Sequence, residues 1–288
     1  MLIMRYNGGL GNQMFQFAAT ATLADKLGAD FYFDCDFFNH SRNRSYQIDI
    51  FQSDKREVKG LKYKALWAFR KHIGESFFDL NVYCEKDFNY EERFSKIRDN
   101  TYIYGFFQSH KYINEKLIKE YFTFKVPPDA QNARIIENMQ NEDSISMHIR
   151  RGDYVAKKHY SKVYNHLDLS YYENALEKIA DSVKKPVIYV FSDDIKWVSN
   201  NFNFNNCPKC KEKEARVEFI SHNFADKSWE DLRLMTNCKH NVIANSSFSW
   251  WGAYLNPNPD KIVIAPKKWF QKIQNNPADL YPQNWIML

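Results

Sequence analysis

The residues of this chain best equipped for chemistry stand in one short run. In Ser146-Met147-His148-Ile149-Arg150-Arg151-Gly152-Asp153-Tyr154 an apolar stretch ends in an imidazole, two guanidiniums and a carboxylate. Arginine presents a planar fork of donors that matches phosphate oxygens without a metal, so Arg150 at a strand end has the chemistry of a diphosphate site. Two further runs have the same form. Val187 to Asp194 reads as a buried strand delivering Asp193 and Asp194. Their carboxylates suit the donors of a guanine edge or of ribose hydroxyls, and they equally suit the cap and first turn of a following helix. Asn241 to Gly252 ends a strand in Asn245-Ser246-Ser247-Phe248. Small hydroxylic residues opening a helix are N-caps by default, and beside an arginine they make a phosphate cradle of backbone N–H groups.

These runs share a site only if the strands that carry them are parallel and end on one rim, as they do in open α/β sheets. The second half alternates strands at 144–150, 186–191, 216–220, 241–244 and 261–265 with helical patterns near 170–184, 194–200, 227–236 and 247–255. That alternation predicts a parallel sheet with helices on both faces. The first half opens in the same idiom, with a strand at 2–6, a Gly-rich turn at 7–12, a helix at 13–27 and a strand at 30–34. Strands at 82–85 and 101–105 and a helix at 111–121 follow. Lys125-Val126-Pro127-Pro128-Asp129 ends that helix and marks a boundary between domains 1–126 and 132–288, with a last helix packing back on the first domain. The Asn- and Lys-rich stretch 200–213 reads as a mobile loop.

Composition narrows the class. A chain of 288 residues suits two domains of roughly 100–150 residues each. A hydrophobic share of 44% and a charged share of 26% are those of an ordinary globular protein. The net charge of +5 is mild and interleaved with acids, which argues against a nucleic-acid partner. Five cysteines without framework spacing read as free thiols in a reducing compartment. No run approaches the ~20 apolar residues of a membrane span, and Met1 to Arg5 is too short for a signal core, so a cytoplasmic location is expected. Lys59 to Phe78 has an apolar stripe with lysines and arginines on other faces. It reads as a surface helix, with peripheral contact on the inner face of the cell membrane as the alternative.

Several motifs are weaker than they look. Gly9-x-Gly11 after a strand, with Asp34 downstream, imitates a dinucleotide fingerprint, but Met14 stands where a third Gly or Ala is needed. Asp34-Cys35-Asp36 has metal-binding spacing without further ligands, and reads as a strand end. Cys207-Pro208-Lys209-Cys210 lacks a second ligand pair at zinc spacing and reads as loop cysteines. Trp250-Trp251 either stacks on sugar or anchors a helix to the core.

Taken together, GGLGNQMFQFA at 8–18, GFFQSHKY at 105–112, HIRRGDY at 148–154, FSDD at 191–194 and NSSFSWWGAYLN at 245–256 resemble the alpha-1,2-fucosyltransferases of glycosyltransferase family 11. The resemblance spans nearly the whole chain. It implies a GT-B-like α/β fold, two Rossmann-like domains facing each other across a cleft. It also implies inverting transfer of L-fucose from GDP-β-L-fucose to the 2-hydroxyl of a terminal β-galactoside, such as lactose or the galactose of a surface glycan. No cofactor and no metal are expected. By the same resemblance Arg150 holds the diphosphate, His148 and Asp193 surround the guanosine, and Ser246, Ser247 and the Phe248 backbone form the phosphate turn. Gly11 belongs to the donor-binding Gly-rich segment and Asn12 faces the donor sugar. Asp153 is the candidate base, with a structural role as its alternative. Other readings are an alpha-1,6 or protein O-linked fucosyltransferase, or a non-catalytic GDP-sugar- or glycan-binding module.

Overall fold

The computed structural model describes residues 1–53, 56–60, 76–77, 80–151, 167–224, 227–271 and 278–288. The chain divides into two compact units, Met1–Pro127 with Pro277–Tyr281, and Pro128–Asn276 with Pro282–Leu288. The 59–78 segment considered for membrane contact falls largely outside the described residues. Among the described residues no helix is long and apolar enough to cross a membrane.

The described residues of the first unit form a six-stranded sheet from β1 (Leu2–Arg5), β2 (Phe31–Asp34), β3 (Glu57–Val58), β4 (Ser76–Phe77), β5 (Leu80–Cys84) and β6 (Thr101–Tyr104). The strand order is β3-β2-β1-β6-β5-β4, parallel except for the antiparallel β4/β5 pair. The order reverses between β1 and β6, which puts a crevice at the carboxyl ends of those two strands. Helix α1 (Leu10–Leu27) begins earlier than its sequence pattern suggests, so Gly11 and Asn12 lie in its first turn. Gly9 is the N-cap, and its carbonyl accepts from the amides of Asn12 at 3.0 Å and Gln13 at 3.1 Å. Helix α2 (Glu115–Tyr121) is capped by the Asn114 side chain.

In the second unit β7 (Asp143–Ile149), β8 (Pro186–Ser192), β9 (Arg216–Phe219), β10 (His240–Val242), β11 (Val263–Ala265) and β12 (Ile286–Met287) form a sheet in the order β12-β11-β10-β7-β8-β9. Every recorded pairing in it is parallel. This is the doubly wound order of nucleotide-binding folds, with its switch point between β7 and β10. Helices α3 (Ala130–Asn141), α4 (Leu169–Ala180), α5 (Ile195–Asn201), α6 (Pro208–Glu212), α7 (Glu230–Asn237) and α8 (Ser247–Tyr254) accompany it. Alternate residues of β8 feed opposite cores, as strand geometry requires. Ile188 and Val190 pack in a cluster with Leu176 and Ile179 of α4, whereas Val187, Tyr189 and Phe191 pack with Met139 of α3 and Leu234 of α7.

Three sequence readings change, and one left open is settled. Helix α3 follows directly on the boundary, where none was predicted. Asp129 caps it by accepting from the Asn132 amide at 2.9 Å, and Ile135, Ile136 and Met139 supply the helical spacing. The 200–213 stretch is not a bare loop: it carries α6, and Cys207 and Cys210 are buried in the core. Those two cysteines form a disulfide, because a helical start brings positions three apart to a Cα separation of 5.2 Å; Cys35, Cys84 and Cys238 are the free thiols. The described residues 278–288 run as turns around Pro282 into β12 of the second sheet. Asp279 nevertheless joins the first unit, its carboxylate accepting from the Tyr90 amide at 3.2 Å. Finally, Trp250 and Trp251 are fully buried, with Trp250 stacked on Tyr254 at 4.7 Å, so they anchor α8 and do not present a sugar platform.

Candidate active site

Three chemistry-bearing runs of the second unit end on one rim, at the switch point and the strand beside it. The parallel register pairs His148 with Phe191 and Ile149 with Ser192, so Arg150 comes level with Asp193. On the other side β10 pairs with β7 through Val242 and Met147, which carries the Ala244 to Ser247 turn out beside His148. The Arg150 Nη1 lies 2.9 Å from Asp193 Oδ2, and the Arg151 amide donates to Asp193 Oδ1 at 2.9 Å. Both side chains of the Arg150–Asp193 pair are 24% exposed, so a ligand can reach them. The Arg150 backbone is in turn hydrogen-bonded to the buried Tyr172 hydroxyl of α4.

Arg151 is held aside. Its guanidinium lies 3.4 Å over the Trp197 ring and 3.6 Å from Asp194, a stacking arrangement that suits the weakly hydrated planar cation. Asp194 itself is the N-cap of α5, accepting from the Trp197 amide at 3.3 Å, while the Ser192 hydroxyl accepts from the Asp194 amide at 3.0 Å. Of the two carboxylates only Asp193 is therefore turned to Arg150.

His148 is buried, and its Nδ1 has no hydrogen-bond partner among the described residues. Burial first, and then the Arg150 charge, lower its pKa to about 4 against a smaller opposing pull from Asp193. The imidazole is neutral at pH 7. Since the folded value lies below the ordinary 6.5, the folded state binds fewer protons between those pH values, and stability is lost as pH falls from 6.5 toward 4. A shift of that size corresponds to about 3 kcal/mol at most. Urea midpoints at pH 4.5 and 7.5 should differ by less in His148→Gln than in the parent; equal differences would refute a buried neutral imidazole.

The turn that opens α8 is built from backbone. Ser246 is the N-cap of α8 and its side chain makes no cap bond. By helix geometry the first-turn amides, those of Phe248 and Ser249 among them, make no i→i−4 bond. The turn is fixed from outside by Tyr171, whose hydroxyl donates to the Ile243 carbonyl at 2.8 Å, and by Asn245, whose Nδ2 donates to the Trp269 carbonyl at 3.0 Å. The Phe248 ring sits 6.1 Å from the His148 ring, centroid to centroid.

In the first unit the Gly-rich segment is held by two fully buried glutamines of α1. Gln13 donates to the carbonyls of Gly8 at 3.2 Å and Ser45 at 2.9 Å, and Gln16 accepts from the Asn7 amide at 3.2 Å. Asn12 Oδ1 accepts from Gln108 Nε2 at 2.8 Å. Asp34 is spent on structure: its Oδ2 takes Arg5 and the Tyr102 hydroxyl, both at 2.6 Å, and its Oδ1 accepts from the Asp36 amide at 2.9 Å. That network commits both Asp34 oxygens to protein donors. Among the described residues no cluster of three His, Cys, Asp or Glu side chains could hold a metal ion. Asp153 lies outside the described residues, as do its neighbours from Gly152 to His166. Trp197, Tyr171, Tyr172 and Gln108 received no role from the sequence.

The sequence matches Glycosyl transferase family 11 over residues 1–288. It is 32% identical to the O-antigen biosynthesis glycosyltransferase WbnK of Escherichia coli, over 98% of this chain and 98% of that protein. It is 31% identical to an alpha-1,2-colitosyltransferase of Escherichia coli, over 100% of this chain and 99% of that one. The galactoside alpha-(1,2)-fucosyltransferase 1 of Homo sapiens is 26% identical over 49% of this chain and 37% of its own length. The fold is similar to that of POFUT1 in complex with GDP-fucose, with a TM-score of 0.53 and 11% identity over 92% of this chain and 97% of the other. From its first residue to its last, this GT-B-like α/β chain belongs to glycosyltransferase family 11 and is a glycosyltransferase.

Proposed function

We propose that the enzyme transfers L-fucose from GDP-β-L-fucose to the 2-hydroxyl of a terminal β-galactoside, with inversion and without a metal. The observation that carries this reading is the Arg150–Asp193 pair beside neutral His148 and the N-terminus of α8, at the switch point of a doubly wound sheet in a family 11 chain. As the acceptor oxygen attacks the anomeric carbon from the face opposite the nucleotide, the bond to the β-phosphate oxygen breaks and its electron pair leaves with GDP. Positive charge grows on the sugar ring and negative charge on the departing diphosphate. Arg150 and the first-turn amides of α8 are fixed donors aimed at that negative charge. His148 and Asp193 hold the guanosine, and Asn12 contacts the transferred sugar. Asp153 takes the acceptor proton, a contribution typically of ~10²–10⁴-fold.

A second donor is favoured by one observation, the 31% identity to an alpha-1,2-colitosyltransferase along the full chain. One assay separates the two. GDP release from GDP-fucose, measured in EDTA with and without lactose, should depend on the galactoside. Release only from the corresponding colitosyl nucleotide would replace the donor. Release that requires added Mg²⁺ would overturn the metal-independent chemistry, and a linkage other than 1→2 in the isolated product would overturn the acceptor position.

A further inference from the structure

Asn12 and Gln108 meet at the switch point of the first sheet, one following β1 and the other following β6. The proposed chemistry makes no use of Gln108 or of the unusual turn that delivers it. Phe107, the preceding residue, has φ +53, a conformation that a bulky residue adopts at a cost of ~1–3 kcal/mol. The turn is held by Glu85, whose carboxylate accepts from the Phe106 amide at 2.6 Å and from the Phe107 amide at 3.0 and 3.1 Å. Burial pushes that carboxyl up to about 7 even against the two amide hydrogen bonds, so holding an anion there is itself costly. Gly105 admits this approach because a Cβ at that position would stand 2.5 Å from the Glu85 Cβ.

All of this fixes where Gln108 projects. The plain alternative is that Gln108 only ties α1 to the end of β6. Gln16 already makes that tie, donating to the Gly105 carbonyl at 2.9 Å from within the same helix. What the second bond adds is orientation. A primary amide has an accepting and a donating end; with Gln108 Nε2 donating to Asn12 Oδ1, the oxygen of Asn12 faces Gln108 and its Nδ2 is the other end. The Asn12 Nδ2 then lies over Gly8, where a Cβ would come within 2.5 Å of it and where φ is +79. We propose that Gln108 is a positioning residue for Asn12: it locks the Asn12 amide so that the N–H end is the one offered to the sugar, and the Glu85-clamped turn exists to hold Gln108 in place.

The inference rests on the proposed contact of Asn12 with the transferred sugar. Gln108→Glu is the sharpest variant, because it keeps size and shape but presents only acceptors above its pKa, forcing the Asn12 amide to turn round. With GDP-fucose and lactose at pH 7.5, kcat should fall about 10²-fold in both Gln108→Glu and Gln108→Ala, the scale of a misplaced reacting group. GDP affinity, which resides in the second unit, should be unchanged, and adding Gln108→Ala to Asn12→Ala should cost nothing further. Gln108→Glu at the parental kcat, or an undiminished loss from Gln108→Ala in the Asn12→Ala background, would overturn the role of Gln108 while leaving Asn12 in place. Asn12→Ala at full activity would remove the placement of Asn12 and this inference with it.

Discussion

Replacing Arg150 by alanine should lower kcat for sugar transfer by about 10²–10³ with little change in fold stability. Rate and stability separate because of where the residue stands. Arg150 follows the last residue of β7, and its side chain is 24% exposed, so truncation opens no cavity in either core. Its ion pair with Asp193 is equally accessible to solvent, and such pairs contribute about 0–1 kcal/mol to folding. In the proposed reaction the same guanidinium meets a charge that grows only as the sugar leaves, and interactions stronger in the transition state than in the ground state are the ones that raise kcat. Arg150→Lys keeps the charge but loses the fork, and should fall between parent and alanine variant. Steady-state kinetics beside a thermal melt test this. A variant that melts as the parent does and retains more than a tenth of its kcat would remove Arg150 from the chemistry.

That this residue could be chosen from sequence follows from the architecture. In a parallel doubly wound sheet the carboxyl ends of neighbouring strands share a rim, so His148, Asp193 and Ser246 converge wherever three buried-type strands can be recognised. β8 reads as an apolar run because it is buried on both faces, and β7, equally buried, alternates Ser144, Ser146 and His148 with Ile145, Met147 and Ile149. What escaped was whatever depends on a partner far along the chain. Gln108 sits within a motif, but its partner Asn12 is 96 positions away and no local pattern announces the bond. Tyr171 fixes a carbonyl 72 positions on. The missed helix α3 had a legible cap in Asp129, yet its polar residues hid the short apolar stripe of Ile135, Ile136 and Met139. The Cys207–Cys210 bond was illegible for a different reason: the surrounding Asn and Lys residues suggested exposure, whereas Phe202 and the two cysteines turn inward against α4.

Asp193→Ala should lower kcat/KM about 10²-fold, and the pattern across nucleotides decides what the residue does. The proposed reading places two demands on one carboxylate. Its oxygens already receive Arg150 and the Arg151 amide, each at 2.9 Å. A carboxylate has about four acceptor sites, so two remain to read the N1 and N2 donors of guanine. If both roles are real, Asp193→Ala weakens GDP and ADP alike through a loosened Arg150, and weakens GDP further through the lost base contacts, so preference for GDP collapses. Arg150→Ala, by contrast, should weaken the two diphosphates by the same factor and leave the preference intact. Asp193→Asn sharpens the comparison, because its amide offers one accepting oxygen where the carboxylate has two and places a donor against either Arg150 or the Arg151 amide. Calorimetric titration of GDP and ADP into the parent and the three variants resolves these cases. An Asp193→Ala protein that still prefers GDP by the parental margin would mean that the base is read elsewhere and that Asp193 serves the diphosphate through Arg150 alone.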